Sequence, residues 1–419
     1  MNKIIPHLWY DKEAKEAALF YISLFEDSRL LDITVWEGTP SGDAETVNFQ
    51  LAGQPFSAIS AGPFFKFNPS ISLMVACDSV DEVNDKWKAL SVGGSALMPL
   101  GEYPFSKWYG WIQDRYGLSW QLMLVDQEQG AQKISQKITP NMLFSNTANG
   151  KAEAAVKYYT EVFENSEIDT ISRYGPGEAQ SAQAQVNFAS FKLCGINFSA
   201  MDHGYDMDFT FNEAFSLMVL CQNQKEIDYY WEKLSTVPEA EQCGWLKDQF
   251  GVSWQIVPSN LQELLSQGSK EGKEEIYKIF LKMKKIDIAA LEKVRMELDN
   301  NGLQSSTFRT DKTWTEQEIN ELFQNLAGGS GGSVFRAKGF LNTPSGKVKV
   351  NYLYGRGEIE PSSYEGPGIV VIIGKDLSEG MLQLLLPSGS TGSAGSCGQT
   401  PCSSQKSCWN NCLFQSRKN

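Results

Sequence analysis

One phrase occurs twice in this chain: Trp111 to Gln121, and again Trp245 to Gln255. Both copies read Trp-x-x-Asp-x-x-Gly-x-Ser-Trp-Gln, and they lie 134 residues apart. A long-period repeat constrains a fold more than local propensity does, because each copy must be one structural unit. Other matches extend it. Ile4 to Pro6 matches Ile138 to Pro140, Phe20 to Ser28 matches Tyr158 to Ser166, and Ile71 to Cys77 matches Phe215 to Cys221. Trp87 and Leu90 match Trp231 and Leu234. The offset drifts from 134 to 144 and back, which assigns the insertions to loops.

Within the first copy, residues 1–128, the apolar run Ile4 to Tyr10 predicts a strand. Ala14, Ala17, Ala18, Tyr21 and Phe25 form one stripe of a helix over Lys12 to Phe25. Strands follow over Leu30 to Trp36, Thr46 to Leu51 and Phe56 to Ser60. The order then begins again with a strand over Ile71 to Cys77 and a helix over Ser79 to Leu90. Ser79 and Glu82 stand at capping-box spacing, and Gly93 and Gly94 end the helix. Three further strands fit Ala96 to Leu100, Trp108 to Gln113 and Ser119 to Val125. The expected fold is α+β, with βαβββ-βαβββ in residues 1–128 and again in 134–297.

Composition narrows the function. A net charge of −13 argues against nucleic acid and against an anionic membrane surface as partners. The longest apolar run, Ile369 to Ile373, is far short of the ~20 residues of a membrane span. The N-terminal residues do not read as a signal peptide. Cys77, Cys194, Cys221 and Cys243 are scattered through apolar stretches as reduced thiols would be, so a cytoplasmic protein is expected.

The repeated phrase, the Ala-x-x-Phe20-Tyr21 helix with Phe25 and Ser28, and Cys243-Gly244-Trp245 resemble the vicinal oxygen chelate (glyoxalase and bleomycin-resistance) superfamily. The likeness is to its PhnB-like, 3-demethylubiquinone methyltransferase-like branch, over about residues 1–295. Lys282 to Glu292 looks like the helical tail that closes such chains. The resemblance implies two half-barrel cups, each able to hold a small molecule, and an internal pseudo-dimer within a monomer or homodimer. It does not bring a methyl-donor loop, since no Gly-rich strand-to-helix turn of that type stands in the chain.

The resemblance also implies a divalent metal, held by about three N or O ligands, which polarises vicinal oxygens of a substrate. The chain has two histidines, His7 and His203. Counted back from Asp11, the first-strand ligand falls at Ile4, with His7 on the opposite face. The last-strand ligands fall at Gln121 and Gln255. A metal is therefore disfavoured. The remaining candidates are His7, and His203 with Asp202, Asp206 and Asp208 in a loop; both also read as plain surface or hydrogen-bonded histidines. Without a metal, each cup draws its lining from Trp9, Phe144, Trp120, Trp254, Gln121 and Gln255, or from the subset that strand parity selects. Core packing is the competing role for these side chains. Asp114 and Asp248 are the candidates for acid-base catalysis, against a simpler role as turn caps before Gly117 and Gly251.

Beyond the polar link at Asn300 to Ser305, a strand at Ser306 to Arg309 precedes a helix over Thr315 to Leu326, with Thr315 and Glu318 at capping-box spacing. Strands over Val334 to Leu341, Lys347 to Tyr354 and Gly368 to Gly374 follow, then a short helix or mixed segment at Leu377 to Leu386. The order fits a small ferredoxin-like α+β domain at 303–386. Phe335 to Phe340 and Val371 to Leu377 resemble the C-terminal domain of the CobW metal-handling GTPases. No Gly-x-x-x-x-Gly-Lys-Ser/Thr loop occurs, so no nucleotide cofactor is expected. Arg336 and Lys338 mark either a partner surface or a solvated face. Residues 387–419 form a Ser- and Gly-rich tail with Cys397, Cys402, Cys408 and Cys412, expected to be flexible.

Two functions follow as expectations. The first is a small-molecule-binding tandem vicinal oxygen chelate protein without the usual metal site, its activity open. The alternative is metal trafficking or partner docking through residues 303–386 and the Cys-containing tail.

Overall fold

The computed structural model describes residues 2–39, 42–125, 136–266, 270–293, 304–327, 333–353, 356–375 and 377. The reading of the segment after Leu377, and of the tail with its four cysteines, lies outside the described residues. The chain forms two compact units, one on residues 1–267 and 273–291, the other on 268–272 and 292–419.

In the first unit the opening copy runs β1 (Ile4–Tyr10), α1 (Ala14–Ile22), β2 (Arg29–Thr39), β3 (Gly42–Leu51), β4 (Gln54–Ser60), then β5 (Ile71–Cys77), α2 (Val80–Leu90), β6 (Ser95–Tyr103), β7 (Ser106–Gln113) and β8 (Ser119–Leu124). The second copy runs β9 (Ile138–Phe144), α3 (Ala152–Val162), β10 (Glu167–Arg173), β11 (Val186–Leu193), β12 (Ile196–Asp202), β13 (Phe215–Cys221), α4 (Gln224–Leu234), β14 (Trp245–Lys247) and β15 (Ser253–Pro258). Helices α5 (Leu261–Ser266) and α6 (Lys270–Phe280) follow, and residues 288–293 are helical as well.

Capping chemistry sets the helix starts. The Ser79 hydroxyl accepts from the Glu82 amide at 3.1 Å, while the Glu82 carboxylate reaches back to the Asp78 amide at 2.8 Å. Asn223 does the same for α4, accepting from the Glu226 amide at 3.1 Å.

The second copy has no counterpart of β6. The fall in repeat offset, from 144 at Trp87 and Trp231 to 134 at Trp111 and Trp245, therefore removes a strand rather than trimming a loop. Residues 235–244 carry the 3-10 turn Pro238–Ala240 and a single bridge from Gln242 to Trp245 in its place.

The sheets do not follow the copies. One has the order β14-β15-β13-β1-β4-β3-β2, the other β10-β11-β12-β9-β5-β8-β7-β6. Each joins the first half of one copy to the second half of the other. The joints are antiparallel: His7 stands opposite Ser216 at one, and Ser72 opposite Asn141 at the other. We call the concave side of the first sheet cup A and that of the second cup B.

Strand parity divides each sheet. Ile4, Leu8, Val47, Phe49, Leu217, Trp254 and Ile256 face the helices in the first sheet, as do Leu73, Trp120, Leu122, Phe144, Phe198 and Ala200 in the second. All belong to one continuous core of buried side chains that also takes in Ala17, Ala18 and Tyr21 of α1 and Val156 and Tyr159 of α3. Burying this much apolar surface is the main favourable term in folding the unit.

The second unit is an all-antiparallel sheet in the order β16 (Gln304–Thr310), β20 (Gly368–Lys375), β17 (Ser333–Thr343), β18 (Gly346–Leu353), β19 (Arg356–Pro361). Strand β19 is additional to the sequence reading. Helix α7 (Glu316–Ala327) sets Ile319, Leu322, Phe323 and Leu326 into a core with Val350, Tyr352, Val370 and Ile372. Its capping box is closed both ways: the Glu318 amide donates to the Thr315 hydroxyl at 3.3 Å, and the Thr315 amide to the Glu318 carboxylate at 2.8 Å.

Candidate functional site

The repeated phrase builds a brace rather than an active site. In the first copy one Asp114 oxygen accepts from the amides of Tyr116 and Leu118 at 2.8 and 3.1 Å, closing the turn. The other accepts from the Tyr21 hydroxyl at 2.8 Å and the Trp120 indole at 2.9 Å. In the second copy Asp248 repeats each bond: Phe250 and Val252 amides at 2.8 and 3.0 Å, Tyr159 at 2.6 Å, Trp254 at 2.8 Å. Gly117 and Gly251 hold φ near +90° in these turns, +91° and +88°, where a side chain is strained. Tyr21 rides on the helix of one sheet while Asp114 and Trp120 belong to the other, so each brace ties the two halves of its copy across the core.

Burial pushes both carboxyl groups up, Asp248 to about 6, and the four donors pull each back down. With every acceptor position filled, and on the helix side of the sheets, neither aspartate faces a cup. These bonds make both aspartates caps of the turns before Gly117 and Gly251, and Asp248 also lines the cleft beside the second brace. Trp120, Trp254 and Phe144 are likewise placed in the core behind the sheets, all with 0% exposure. Of the six residues expected to line the cups, Trp9, Gln121 and Gln255 lie on the concave faces.

Cup A has a polar floor of four side chains. His7 of β1 stands between Ser57 of β4 and Ser216 of β13. Its Nδ1 lies 3.4 Å from the Ser216 hydroxyl, to which Gln255 Nε2 donates at 3.0 Å. The Trp245 ring meets His7 edge-on at 5.4 Å and Trp9 at 6.0 Å. Burial lowers the His7 imidazole to about 3, so it is neutral at physiological pH. The position counted as the first-strand ligand, Ile4, is turned into the core, and His7 takes the cup-facing place. That corrects the sequence register.

Cup B repeats the floor with amides and hydroxyls only. Asn141 of β9 replaces His7, between Ser199 of β12 and Ser72 of β5. Ser199 donates to Asn141 Oδ1 at 2.9 Å. Gln121 Nε2 donates to the Ser72 hydroxyl at 2.8 Å, and the Tyr109 hydroxyl fixes that amide by donating to Gln121 Oε1 at 2.7 Å. Asn141 Nδ2 is fully buried and has no protein partner; in cup A the same is true of the Ser57 hydroxyl. Half-buried Met74, Met123, Met201 and Trp111 stand on the same faces of β5, β8, β12 and β7. Sequence reading missed the four floor serines and Asn141. The usable signal was a lone serine inside matched apolar runs, at Ser72 and Ser216.

Neither floor suits a divalent cation. One neutral imidazole, two hydroxyls and an amide make up cup A, and cup B has no imidazole. Among the described residues no group of three or more His, Cys, Asp or Glu comes together. Hard cations take carboxylate and water oxygen, and zinc takes imidazole, thiolate or carboxylate. His203 offers no second centre. Its Nδ1 is 3.0 Å from the Tyr205 amide, and the Asp202 carboxylate is consumed by the amides of Gly150, Ala152, Gln185 and Val186 at 2.9–3.1 Å. Asp206 and Asp208 point to solvent. An open cleft of ≈ 440 Å³ beside the second brace, lined by Thr147, Lys151, Phe211, Lys247 and Phe250, lies outside both floors; its Lys247 is paired with Glu213 at 2.9 Å.

Comparison with known proteins agrees with this architecture. The family model described as 3-demethylubiquinone-9 3-methyltransferase matches residues 2–123 and 136–257, and the cobalamin synthesis protein cobW C-terminal domain matches residues 303–388. Among solved structures, the PhnB protein of Bacillus cereus is 38% identical, covering 30% of this chain and 100% of its own, with a TM-score of 0.28. A Staphylococcus aureus protein is 31% identical over 30% of this chain and 98% of its own, with a TM-score of 0.14. Glyoxalase I of Zea mays is 12% identical over 62% of this chain and 95% of its own, with a TM-score of 0.40. No curated protein sequence matched. With more than half of its 419 residues matched by that first model, the chain belongs to the 3-demethylubiquinone-9 3-methyltransferase family, in two tandem copies followed by a cobW C-terminal domain.

Proposed function

We propose that the first unit binds an uncharged, carbonyl-bearing small molecule in a cup, without a divalent metal. The observation that carries this reading is the buried, unpartnered Asn141 Nδ2 on the floor of cup B. A buried N–H without an acceptor costs about 1–3 kcal/mol, and a ligand oxygen would recover it. The surrounding Met74, Met123, Met201 and Trp111 suit an apolar, flat body, because thioethers adapt to shape and an indole presents a broad face. On the same face of β11, Lys192 is already paired with two carboxylates, Glu167 and Asp169, so it is not an uncompensated cation that calls for an anion. The demethylubiquinone named in the family's description is a ring of this type.

The test is native mass spectrometry of the full-length chain, as purified and after exposure to zinc, cobalt, nickel and manganese. A co-purifying organic mass that is lost in Asn141→Leu, with the metals failing to bind, supports the reading. Stoichiometric metal retained through His7, and lost in His7→Asn, overturns it. The four described cysteines are free thiols, which suits a reducing compartment.

A further inference from the structure

We infer that cup B is keyed to a carbonyl rather than to the corresponding alcohol or phenol, and that Tyr109 is the positioning residue that sets this preference. The inference deepens the binding role proposed above and rests on it. The floor of cup B is a chain of hydrogen bonds whose direction is fixed from one end. Tyr109 of β7 stands opposite Met123, on the face where Trp111 stands opposite Gln121. Its hydroxyl donates to Gln121 Oε1 at 2.7 Å, which leaves Nε2 as the end of the amide that reaches Ser72, at 2.8 Å. The Ser72 oxygen therefore accepts, and its own proton is left to point elsewhere. Among the described residues no acceptor takes that proton. On the neighbouring side the Ser199 hydroxyl donates to Asn141 Oδ1 at 2.9 Å, which leaves Nδ2 as the free end of that amide.

Ser72 and Asn141 are direct partners in the antiparallel joint of β5 and β9. Residues so placed have Cβ atoms about 4.5–5.5 Å apart, so one ligand atom can meet both side chains. The floor thus offers two buried protons, one from each residue, while both amide oxygens are already taken. A carbonyl oxygen has two lone pairs and no proton, and it satisfies both donors at once. An alcohol or phenol brings a third proton. Wherever that proton is placed, one of the three is buried without an acceptor, which is the costly way to bury a polar group. Ser72 and Asn141 are both 0% exposed, so bulk water does not relieve the mismatch.

Tyr109 is firmly held, and cup A has no equivalent of it. Phe105 and Tyr103 meet its buried ring edge-on at 4.9 and 5.5 Å. Burial pushes its hydroxyl well above the usual phenol range, so it stays protonated and remains a donor. In the second copy Cys243 takes this place in the repeat, and its thiol is turned to the Phe280 carbonyl at 3.6 Å. Gln255 still donates to Ser216, but among the described residues nothing donates to its Oε1. Ser216 also faces His7 Nδ1, a nitrogen that can give or take a proton. The same serine and glutamine therefore have a fixed polarity in cup B and an adjustable one in cup A.

The test titrates a matched pair of flat probes, 1-indanone and 1-indanol, against the full-length chain by ligand-observed NMR. The parent is expected to hold the ketone at least about tenfold more tightly than the alcohol, the effect of one buried proton without an acceptor. Tyr109→Phe keeps the ring but frees the Gln121 amide to turn its oxygen to Ser72, and the ratio should fall below about threefold as that mismatch is relieved. Tyr103→Phe is the control: it removes a hydroxyl that donates to the Pro99 carbonyl at 2.8 Å, and it should keep the parent ratio. Lost packing weakens both probes alike, so the ratio reads polarity rather than fold. Equal affinities in the parent, or a ratio unmoved by Tyr109→Phe, overturn the inference. The binding role fails separately. Equal binding of both probes that disappears in Asn141→Leu leaves the cup a ligand site without this selectivity, whereas no binding of either probe up to its solubility limit removes site and selectivity together.

Discussion

His7 offers the sharpest test of the cup A floor. Its imidazole is lowered by burial to about 3, while the same group in the unfolded chain titrates near 6.5. A depressed histidine stabilises the fold fully above the unfolded value and loses that contribution as pH falls toward the folded one. At about pH 4.5 the unfolded imidazole is almost wholly protonated and the folded one almost wholly neutral. The difference is about two pH units at ~1.4 kcal/mol each, or about 2.7 kcal/mol of stability lost relative to neutral pH. His7→Asn removes this titration while borrowing the solution of cup B, where Asn141 holds the matched place between two serines. Urea unfolding of both proteins at about pH 7.5 and 4.5 isolates the term, since every other group cancels in the double difference. The parent should lose about 2–3 kcal/mol more than His7→Asn on acidification. With two histidines in the chain, ring NMR is a direct check. An imidazole at His7 that titrates near 6.5, or equal acid sensitivity in both proteins, refutes the argument.

Three further outcomes follow from the same geometry. Asp248→Asn replaces an acceptor with an NH2 group facing the donors Trp254 and Tyr159, and should cost about 3 kcal/mol in urea unfolding of the first unit, against about 1 for Tyr159→Phe. Gly251→Ala places a Cβ in open space but at φ +88°, so its cost of about 1–2 kcal/mol is backbone strain alone; a neutral result in thermal unfolding would contradict the turn geometry. Thr315→Ala opens the capping box of α7 and should lower the second unit's stability by about 1 kcal/mol, with the first unit's transition unchanged in calorimetry.

The repeat made the strand-and-helix order of the first unit legible, but it left the parity open, that is, which of the adjacent tryptophan and glutamine of each repeated phrase faces a cup; register puts Trp120 and Trp254 in the core and Gln121 and Gln255 on the other face. The direction of that parity in β1 was not legible. Pro6, His7 and Leu8 are all buried, because one face of the strand meets helices and the other a covered cup, so no polar alternation marks the inside. Ile4 and His7 were consequently exchanged. The loss of β6 was read as a loop because that edge strand is exposed or half-exposed throughout, so its absence from the second copy removes no buried run from the repeat. The exchange of half-copies left no local trace. The strand patterns of β5 and β13 are so alike that either satisfies the pairing demands of β1 or β9. Asp114 and Asp248 drew attention because matched carboxylates look chemical; four donors around each were beyond reach without coordinates.

The crossed sheets also govern how the chain is made. Ile4 pairs with Val219, and Val75 with Ile138. Strand β1 meets β4 early, but a ribosome has to release some two hundred residues beyond β1 before that strand meets β13 on its other edge, and pairings over such spans form slowly. Throughout that interval the nascent first copy carries two bare inner edges, one on β1 and one on β5. Each is a template for the same edge on another nascent chain. Synthesis rate and chain crowding, rather than the stability of the finished protein, then decide whether the first copy waits for its own second copy or joins a neighbour's.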